Sequence, residues 1–456
     1  MTISKILVAN RGEIAVRIIR AARELGIATA QVVSAADRDM LAATLADEMV
    51  EIGPAQAAKS YLKIDAILAA AKSVGADAVH PGYGFLSENA DFADAVKAAG
   101  LIFIGPDGDT IRKMGDKARA RAIAAEAGVP TVPGSEGRVD PSDADRLVAE
   151  YGLPLMIKAS AGGGGRGIRV AHSVDELRTM MPTASAEALA AFGDGGLYVE
   201  RFIGRARHIE VQILGDGHSA IHLFERDCSL QRRRQKVWEE APAACLTAEV
   251  QTRLCNAAVR LARHVNYSGA GTLEFLYDEQ SGGYFFIEMN TRIQVEHPIT
   301  EMVTGVDIMK EMILIAAGKR LSIAQDNVTL RGHSIECRIN AEDPARNFAP
   351  APGKIAVMTV PKGGHIRFDT GLYEGYQVPP FYDSLLGKLI VWGETREQAL
   401  AAMRDALAEF SISGVPTTAP LHRLLVDDPD VLALRTHTRW LEHWLESKFT
   451  ADAAVA

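Results

Sequence analysis

Cysteine is sparse: Cys228, Cys245, Cys255 and Cys337 are the four in a chain of 456 residues. None is spaced from another as zinc ligands or a disulfide framework require. That excludes a fold stapled by metal or by disulfides and fits reduced thiols in a cytosolic protein. Positive charge is also short. A formal net charge of −9 argues against a general nucleic-acid binder and leaves one local basic site, Gln231-Arg-Arg-Arg-Gln-Lys236. No apolar run approaches the roughly 20 residues of a membrane span. Strand pattern begins at Lys5-Ile-Leu-Val-Ala9 and leaves no room for a signal peptide, so the expected location is cytoplasmic, with no membrane or nucleic-acid partner. Two phosphate-binding signatures are missing. The turn after Ala9 lacks G-x-G-x-x-G, which removes a dinucleotide site. The glycine-rich loop at Ala159–Gly167 lacks the G-K-[ST] ending of a P-loop. Repeats and low-complexity tracts are absent.

What is present is long enough for two or three domains. Ile6–Ala9, then Asn10-Arg11-Gly12-Glu13, then Ile14, Ile18, Ile19, Ala22 and Leu25 at helical spacing, then a stop at Gly26 give strand, turn and helix. That order predicts a Rossmann-like α/β half, continued through Ala76–His80 and a turn-rich loop, His80–Asn89. Loops after parallel strands collect ligands, so Pro81-Gly-Tyr-Gly84 reads either as a site or as a tight structural turn. From Lys117 a helix leads to two strands, Leu155–Lys158 and Ile168–Val170, joined by the glycine loop. Such a hairpin tip reads as a mobile lid or as a cradle for phosphate oxygens. Gly196–Ile203 reads as an interdomain hinge, and the charged run Phe224–Lys236 as chain threading through a site. The last third, from about Gly332, alternates from His333 to Asn340 and ends in helices, an α+β unit with a frayed tail.

The stretch Gly283–Pro298 carries the chemistry. Ile287, Met289, Thr291, Ile293 and Val295 fall on one parity, and Glu288, Asn290, Arg292, Gln294 and Glu296 on the other. In a strand these are two faces, one apolar and one a row of charged and amide groups. A solvent-facing strand would read similarly, but usually with Lys, Thr and Ser. Glu274 lies on the preceding strand, and a hairpin brings it beside Glu288. Two carboxylates and Asn290 supply oxygen ligands for magnesium, which commonly also holds nucleotide phosphates. With Lys117, Lys158 and the glycine loop, the set fits phosphoryl transfer from ATP, a reaction of positioning and charge neutralisation. Arg292 is always charged and planar, which suits a small planar oxyanion, and a carboxylate beside such a cation stays ionised, as a base requires.

These motifs resemble those of biotin carboxylases, ATP-grasp enzymes of the first half-reaction of biotin-dependent carboxylases, over residues 4–446. The carriers are Lys5–Ala15, His80–Asn89, Lys158–Gly167, Glu225–Arg233, Glu288–Pro298 and Glu336–Pro344. The resemblance implies a Rossmann-like N-terminal pre-ATP-grasp domain at 1–114 and ATP-grasp domains at 115–330 with a glycine-rich lid at about 131–204. An α+β biotin carboxylase C-terminal domain at 331–447 and a tail at 448–456 complete it. It implies ATP- and bicarbonate-dependent carboxylation of biotin N1 on a separate carrier protein through carboxyphosphate. Lys117, Lys158, Gly164 and Gly165 would hold phosphates. Glu200, Arg201, Phe202 and Ile203 would meet adenine, with Leu276 on the ring and His208 near the ribose. Glu274, Glu288 and Asn290 would bind Mg2+ or Mn2+. Bicarbonate would sit against Lys236, Arg292, Gln294 and the Val295 backbone, with Glu296 as base. Arg338 would stabilise the biotin enolate, and Tyr83, Gly84 and Gln231 would line its ureido ring. Strand alternation is expected to hold to about Arg292, where the family's loop bends.

The chain departs from the family at Arg234, commonly histidine and a candidate nucleotide contact, at Arg201-Phe202 for Lys-Tyr, at Trp238, and at Ala243-Ala244-Cys245. Trp238 and the last run are expected near the site, where they bear on which carrier is accepted. No Ala-Met-Lys-Met biotinylation motif is present, so biotin carboxyl carrier protein and carboxyltransferase are expected as separate partners. A homodimer is implied, with Arg20, Glu24 and Arg367 at its interface. Acetyl-CoA carboxylase is the expected assembly. A propionyl-CoA or other carboxylase, another ATP-grasp ligase, or a silent nucleotide-binding scaffold are the alternatives.

Overall fold

Five short parallel strands open the chain: β1 (Lys5–Val8), β2 (Ala28–Ser34), β3 (Glu48–Gly53), β4 (Ala78–His80) and β5 (Ile102–Phe103), in spatial order β3-β2-β1-β4-β5. The computed structural model describes residues 2–135, 137–160 and 168–448. Helix α1 (Gly12–Glu24) buries Ile14, Ile18, Ile19 and Ala22, the spacing that predicted it, and Gly26 follows its end at φ +72°. Strand order reverses between β1 and β4, so the loops leaving both strands meet at one switch point. There Asn10 Nδ2 donates to the carbonyls of Pro81 (2.6 Å) and Tyr83 (2.7 Å). Gly82, at φ +63°, lets Asn10 come this close, since a Cβ would sit 2.9 Å from Asn10 Nδ2.

A small antiparallel sheet follows, with β6 (Leu155–Ala159) between β7 (Arg169–Ala171) and β8 (Leu197–Arg201). Leu155, Ile157, Leu197 and Val199 pack there on Leu147, Leu177 and Met181. The glycine tip between β6 and β7, including Gly164 and Gly165, lies outside the described residues, as does the tail from residue 449.

The largest element is an antiparallel sheet of eight strands. Its strands include β9 (Ala206–Asp216), β10 (Ala220–Arg232), β11 (Gln235–Ala241), β12 (Ser268–Asp278), β13 (Gly283–Asn290) and β14 (His333–Asn340). The order is β13-β12-β9-β10-β11-β14, then strands Leu385–Gly393 and Ile366–Thr370. Its hydrogen bonding runs on through the pairing of β11 with β14, so residues before and after 331 share one sheet. On one side, Val211, Leu273, Phe275 and Phe286 pack against Leu254, Ala258 and Leu261 of helix Ala248–His264. Farther along, Ile335, Cys337, Leu389 and Val391 meet Leu400, Met403 and Leu407 of helix Arg396–Glu409. Each such side chain contributes about 1.5–3 kcal/mol by burial. The alternate residues, His208, Glu210, Gln212, Arg226, Glu274, Glu336 and Arg338, face the other way, so one continuous sheet face is polar. Helix His297–Thr304 packs on part of it. Among the described residues no helix is long and apolar enough to cross a membrane.

Two expectations are refined. The charged run Phe224–Lys236, read as chain threading through a site, passes it as regular structure. It is a hairpin of β10 and β11, turned by two left-handed residues, Arg233 (φ 48°) and Arg234 (φ 65°), the geometry that matches strand twist. Alternation in β13 also fails before Arg292. A bulge lies between the pairs Glu274↔Glu288 and Phe275↔Phe286, and it leaves Ile287 without a partner on β12. One extra residue reverses parity, so Met289, Phe286 and Tyr284 share the core while Ile287 is only half-buried. The strand ends at Asn290. Trp238, one of the departures from the family, is a core residue. It is 1% exposed and packs in the core with Leu230 and Ile335.

Candidate active site

The polar sheet face and the loop leaving β13 bring most of the named groups together. Glu274 and Glu288 face each other in register across β12 and β13, with Asn290 two residues on. Asn290 Nδ2 (2.7 Å) and Gln294 Nε2 (2.9 Å) both donate to Glu274 Oε1. Lys117 lies 3.2 Å from Glu288 at the start of helix Lys117–Glu126. Two carboxylates and a carboxamide are the hard oxygen donors that magnesium takes, so the residues fit that ion. His208 Nε2 adds to the cluster, 3.0 Å from both Glu210 and Glu274. Burial opposes its charge, yet Glu274 and Glu210 prevail and raise its pKa to about 10.

At the β11 end, Lys236 Nζ bonds Glu210 and lies 2.7 Å from Glu296 and 3.3 Å from Glu274. Arg338 on β14 donates to Glu239 (2.6 Å) and to the other oxygen of Glu296 (2.9 Å). Burial alone would raise the Glu296 pKa, but Lys236 first and Arg338 after it pull it below the usual carboxylate range. Glu239, fully buried, goes the other way: burial holds it at about 7 against the pull of Arg338. Glu296 is placed by its chain position, the residue before helix His297–Thr304, after a bend that begins at Thr291.

Arg292 projects from that bend toward the N-terminal domain. It donates to Glu88 Oε2 (2.8 Å) and Asn290 Oδ1 (3.1 Å), while Thr291 N–H donates to Glu88 Oε1 (3.0 Å). Gln294 is held through its own oxygen by buried Arg226 (2.9 Å). Gln231 Nε2 lies 3.0 Å from His208 Nδ1, and Leu276 pairs across strands with both His208 and Phe285. Lys158 bonds Glu200, which Arg121 also holds. In the hinge, the Arg201 and Phe202 N–H groups donate to the carbonyls of Pro133 (2.8 Å) and Pro154 (2.9 Å), and Ile203 follows them. Arg234 stands apart, exposed at the hairpin tip. Tyr83 donates to Glu13 (2.5 Å), and a Cβ on Gly84 would meet nothing within 4 Å. Val295 O accepts from Lys388 Nζ (2.8 Å).

Glu88, Glu210, Arg226, Glu239, Glu13 and Lys388 are site residues that sequence reading missed. Glu210 and Arg226 carried a signal, the parity of β9 and β10. Glu88 and Lys388 did not, since their contacts span 204 and 93 residues. At the far edge of the same sheet, Arg20 and Glu24 of α1 line a cavity of about 380 Å³ with Arg17, Glu301, Asp307 and Arg367.

The arrangement offers a phosphate- and metal-binding end, an anion cage of Lys236 and Arg338 around an ionised carboxylate, and an open glycine turn nearby. Known proteins match it throughout. Residues 2–111 match the family described as Biotin carboxylase, N-terminal domain. Residues 116–324 match Carbamoyl-phosphate synthase L chain, ATP binding domain, and 336–443 match Biotin carboxylase C-terminal domain. Biotin carboxylase of Nostoc sp. is 54% identical, over 97% of this chain and 99% of that one. A pyruvate carboxylase subunit of Methanothermobacter thermautotrophicus is 48% identical, over 97% and 90%. The solved biotin carboxylase domain dimer of Hydrogenobacter thermophilus 2-oxoglutarate carboxylase, in complex with MgADP, ADP and bicarbonate, is 48% identical. It superimposes with a TM-score of 0.89, covering 97% of this chain and 98% of that one. Since the three family models and these relatives together span nearly the whole chain, the chain belongs to the biotin carboxylase family.

Proposed function

We propose that the chain carboxylates N1 of biotin on a separate carrier protein, using ATP and bicarbonate, and that Glu296 is its base. The observation that carries this reading is the setting of Glu296. It is 1% exposed, kept ionised by Lys236 and Arg338, and stands one short bend away from Glu288 and Asn290.

Bicarbonate entering beside Glu296 shares Lys236 and meets Arg292, Gln294 and the Val295 backbone. Glu296 accepts its proton, and a bicarbonate oxygen attacks the γ-phosphorus of ATP, releasing ADP and forming carboxyphosphate. Lys117, Lys158, Gly164 and Gly165 hold the phosphates. Glu200–Ile203, His208, Leu276 and Arg234 meet the nucleoside. Glu274, Glu288 and Asn290 would hold Mg2+ or Mn2+, which when bound neutralises charge on the transferring phosphoryl group. Carboxyphosphate yields CO2 and phosphate, phosphate takes the N1 proton, and N1 attacks the CO2 carbon to give N1-carboxybiotin. Arg338 stabilises the ureido enolate, with Tyr83, Gly84 and Gln231 beside the ring. The units at 1–114, 115–330 and 331–447 supply, in turn, the biotin-side loop, the nucleotide site and Arg338.

The assembly we infer is acetyl-CoA carboxylase, with a homodimer of this chain serving a biotin carboxyl carrier protein and a carboxyltransferase in the cytoplasm. The relative that belongs to a pyruvate carboxylase keeps a different acceptor as the second reading. ADP release is expected to require bicarbonate and to rise with free biotin. ADP release that required an amine or amino acid instead would overturn the reading.

A further inference from the structure

Lys388 carries a charge in the interior that the chemistry above does not use. It lies in the strand Leu385–Gly393, directly across from Arg338, and is 0% exposed. Its ammonium reaches two other parts of the molecule. It donates to the carbonyl of Val295 (2.8 Å), and it pairs with Glu13 Oε1 (3.0 Å) in the first turn of α1. That same Glu13 oxygen accepts from the Tyr83 hydroxyl (2.5 Å). Asp369 stands farther off, at 4.0 Å.

The Val295 carbonyl belongs to the peptide unit whose nitrogen is that of Glu296. Fixing that carbonyl fixes the plane from which the base projects. Glu13, in turn, sets the ring of Tyr83 beside open Gly84. One ammonium therefore holds the bicarbonate-side bend and, through one carboxylate, the biotin-side loop. A buried ion pair adds little stability over well-packed apolar groups of the same volume, so bulk stability does not account for it. What the pair holds does.

We propose that Lys388 is a positioning residue that keeps the Val295–Glu296 peptide and, by way of Glu13, Tyr83 in register with each other. The inference rests on the reading of Glu296 and Tyr83 given under Proposed function.

The test uses the full chain with ATP, bicarbonate and free biotin. Lys388→Met alone strands Glu13 in the interior, so it is paired with Lys388→Met/Glu13→Gln, which leaves position 13 neutral. In the folded double variant, KM for bicarbonate and KM for biotin should each rise by about tenfold or more, the loss of one hydrogen bond to a charged group, while KM for ATP stays within about twofold. A purely structural part would instead lower the active fraction and leave the three KM values alone. Bicarbonate and biotin KM values both within about twofold of wild type would overturn the proposal. Should the double variant not fold, Glu13→Asp serves. It keeps both charges but draws the carboxylate back from Tyr83, and an unchanged biotin KM there overturns the proposal as well. A wild-type chain without bicarbonate-dependent ATP cleavage would sink the functional reading itself. An active wild type with unmoved KM values sinks only the role of Lys388.

Discussion

At Glu296, burial that would raise a carboxyl pKa is outweighed by Lys236 at 2.7 Å and Arg338 at 2.9 Å, so the group is an ionised base near neutrality. Glu296→Gln keeps the shape and removes the basicity. Bicarbonate-dependent ADP release should fall by about 10²–10⁴-fold. KM for ATP should hardly move, and retained turnover would show that the base lies elsewhere. His80, at the base of the biotin-side loop, offers a pH test read as stability. It is fully buried at the end of β4, its Nδ1 accepts from Gly82 N–H (3.0 Å), and burial, with Arg17 adding to it, lowers its pKa to about 3 from 6.5. Its neutral form is the folded one. The stability it contributes is therefore complete above about pH 6.5 and is lost as pH falls from there toward 3. Unfolding free energies of wild type from urea titrations should drop more steeply over that range than those of His80→Asn, by at most about 1.4 kcal/mol per pH unit. Parallel slopes would mean that His80 titrates normally.

Among the elements, the β10–β11 hairpin places two arginines at positive φ, where glycine or asparagine is the usual occupant. Its tip is tied down from outside, by Arg232 over the Phe348 ring at 3.9 Å and by Arg233 N–H donating to Glu442 (3.2 Å). Left-handed backbone costs a β-carbon about 1–2 kcal/mol, so Arg233→Asn/Arg234→Gly should stabilise the chain by about 1 kcal/mol in thermal melts. The same variant decides the part of Arg234 in nucleotide binding, since KM for ATP rises only if the side chain reaches the nucleotide. The bulge at Ile287 is the other element with a consequence. It turns Phe286 and Tyr284 into the core while Glu288 stays opposite Glu274, an outcome that strict alternation cannot deliver.

For the whole molecule, the face bearing Arg17, Arg20, Glu24, Asp307 and Arg367 carries both signs of charge around one cavity, as a self-complementary two-fold contact requires. Arg20 is exposed there, and Glu24 pairs with Lys310 at 2.5 Å. Sedimentation velocity should find a dimer for wild type and mostly monomer for Arg20→Glu. A variant that remains dimeric would place the interface on another face. Domain order shapes the site at this scale too. Glu88 from the loop after β4 braces Arg292, and Lys388 from the last third braces Val295, so the reaction bend is held from both ends of the chain.

The sequence by itself determined which chemistry was available. Period-two alternation around Glu288 and Arg338 against apolar neighbours is a local property, and it marked the polar face before any fold was known. The turn glycines and the helical spacing of α1 were legible for the same reason. Tertiary structure alone decided how those groups meet. It set the parity switch at Ile287, because a bulge is a pairing event between two strands. It buried Trp238, because the hairpin face it occupies is covered by the C-terminal core. It chose Glu88, Glu13 and Lys388 as partners of the site, because electrostatic contact depends on distance through space and not along the chain.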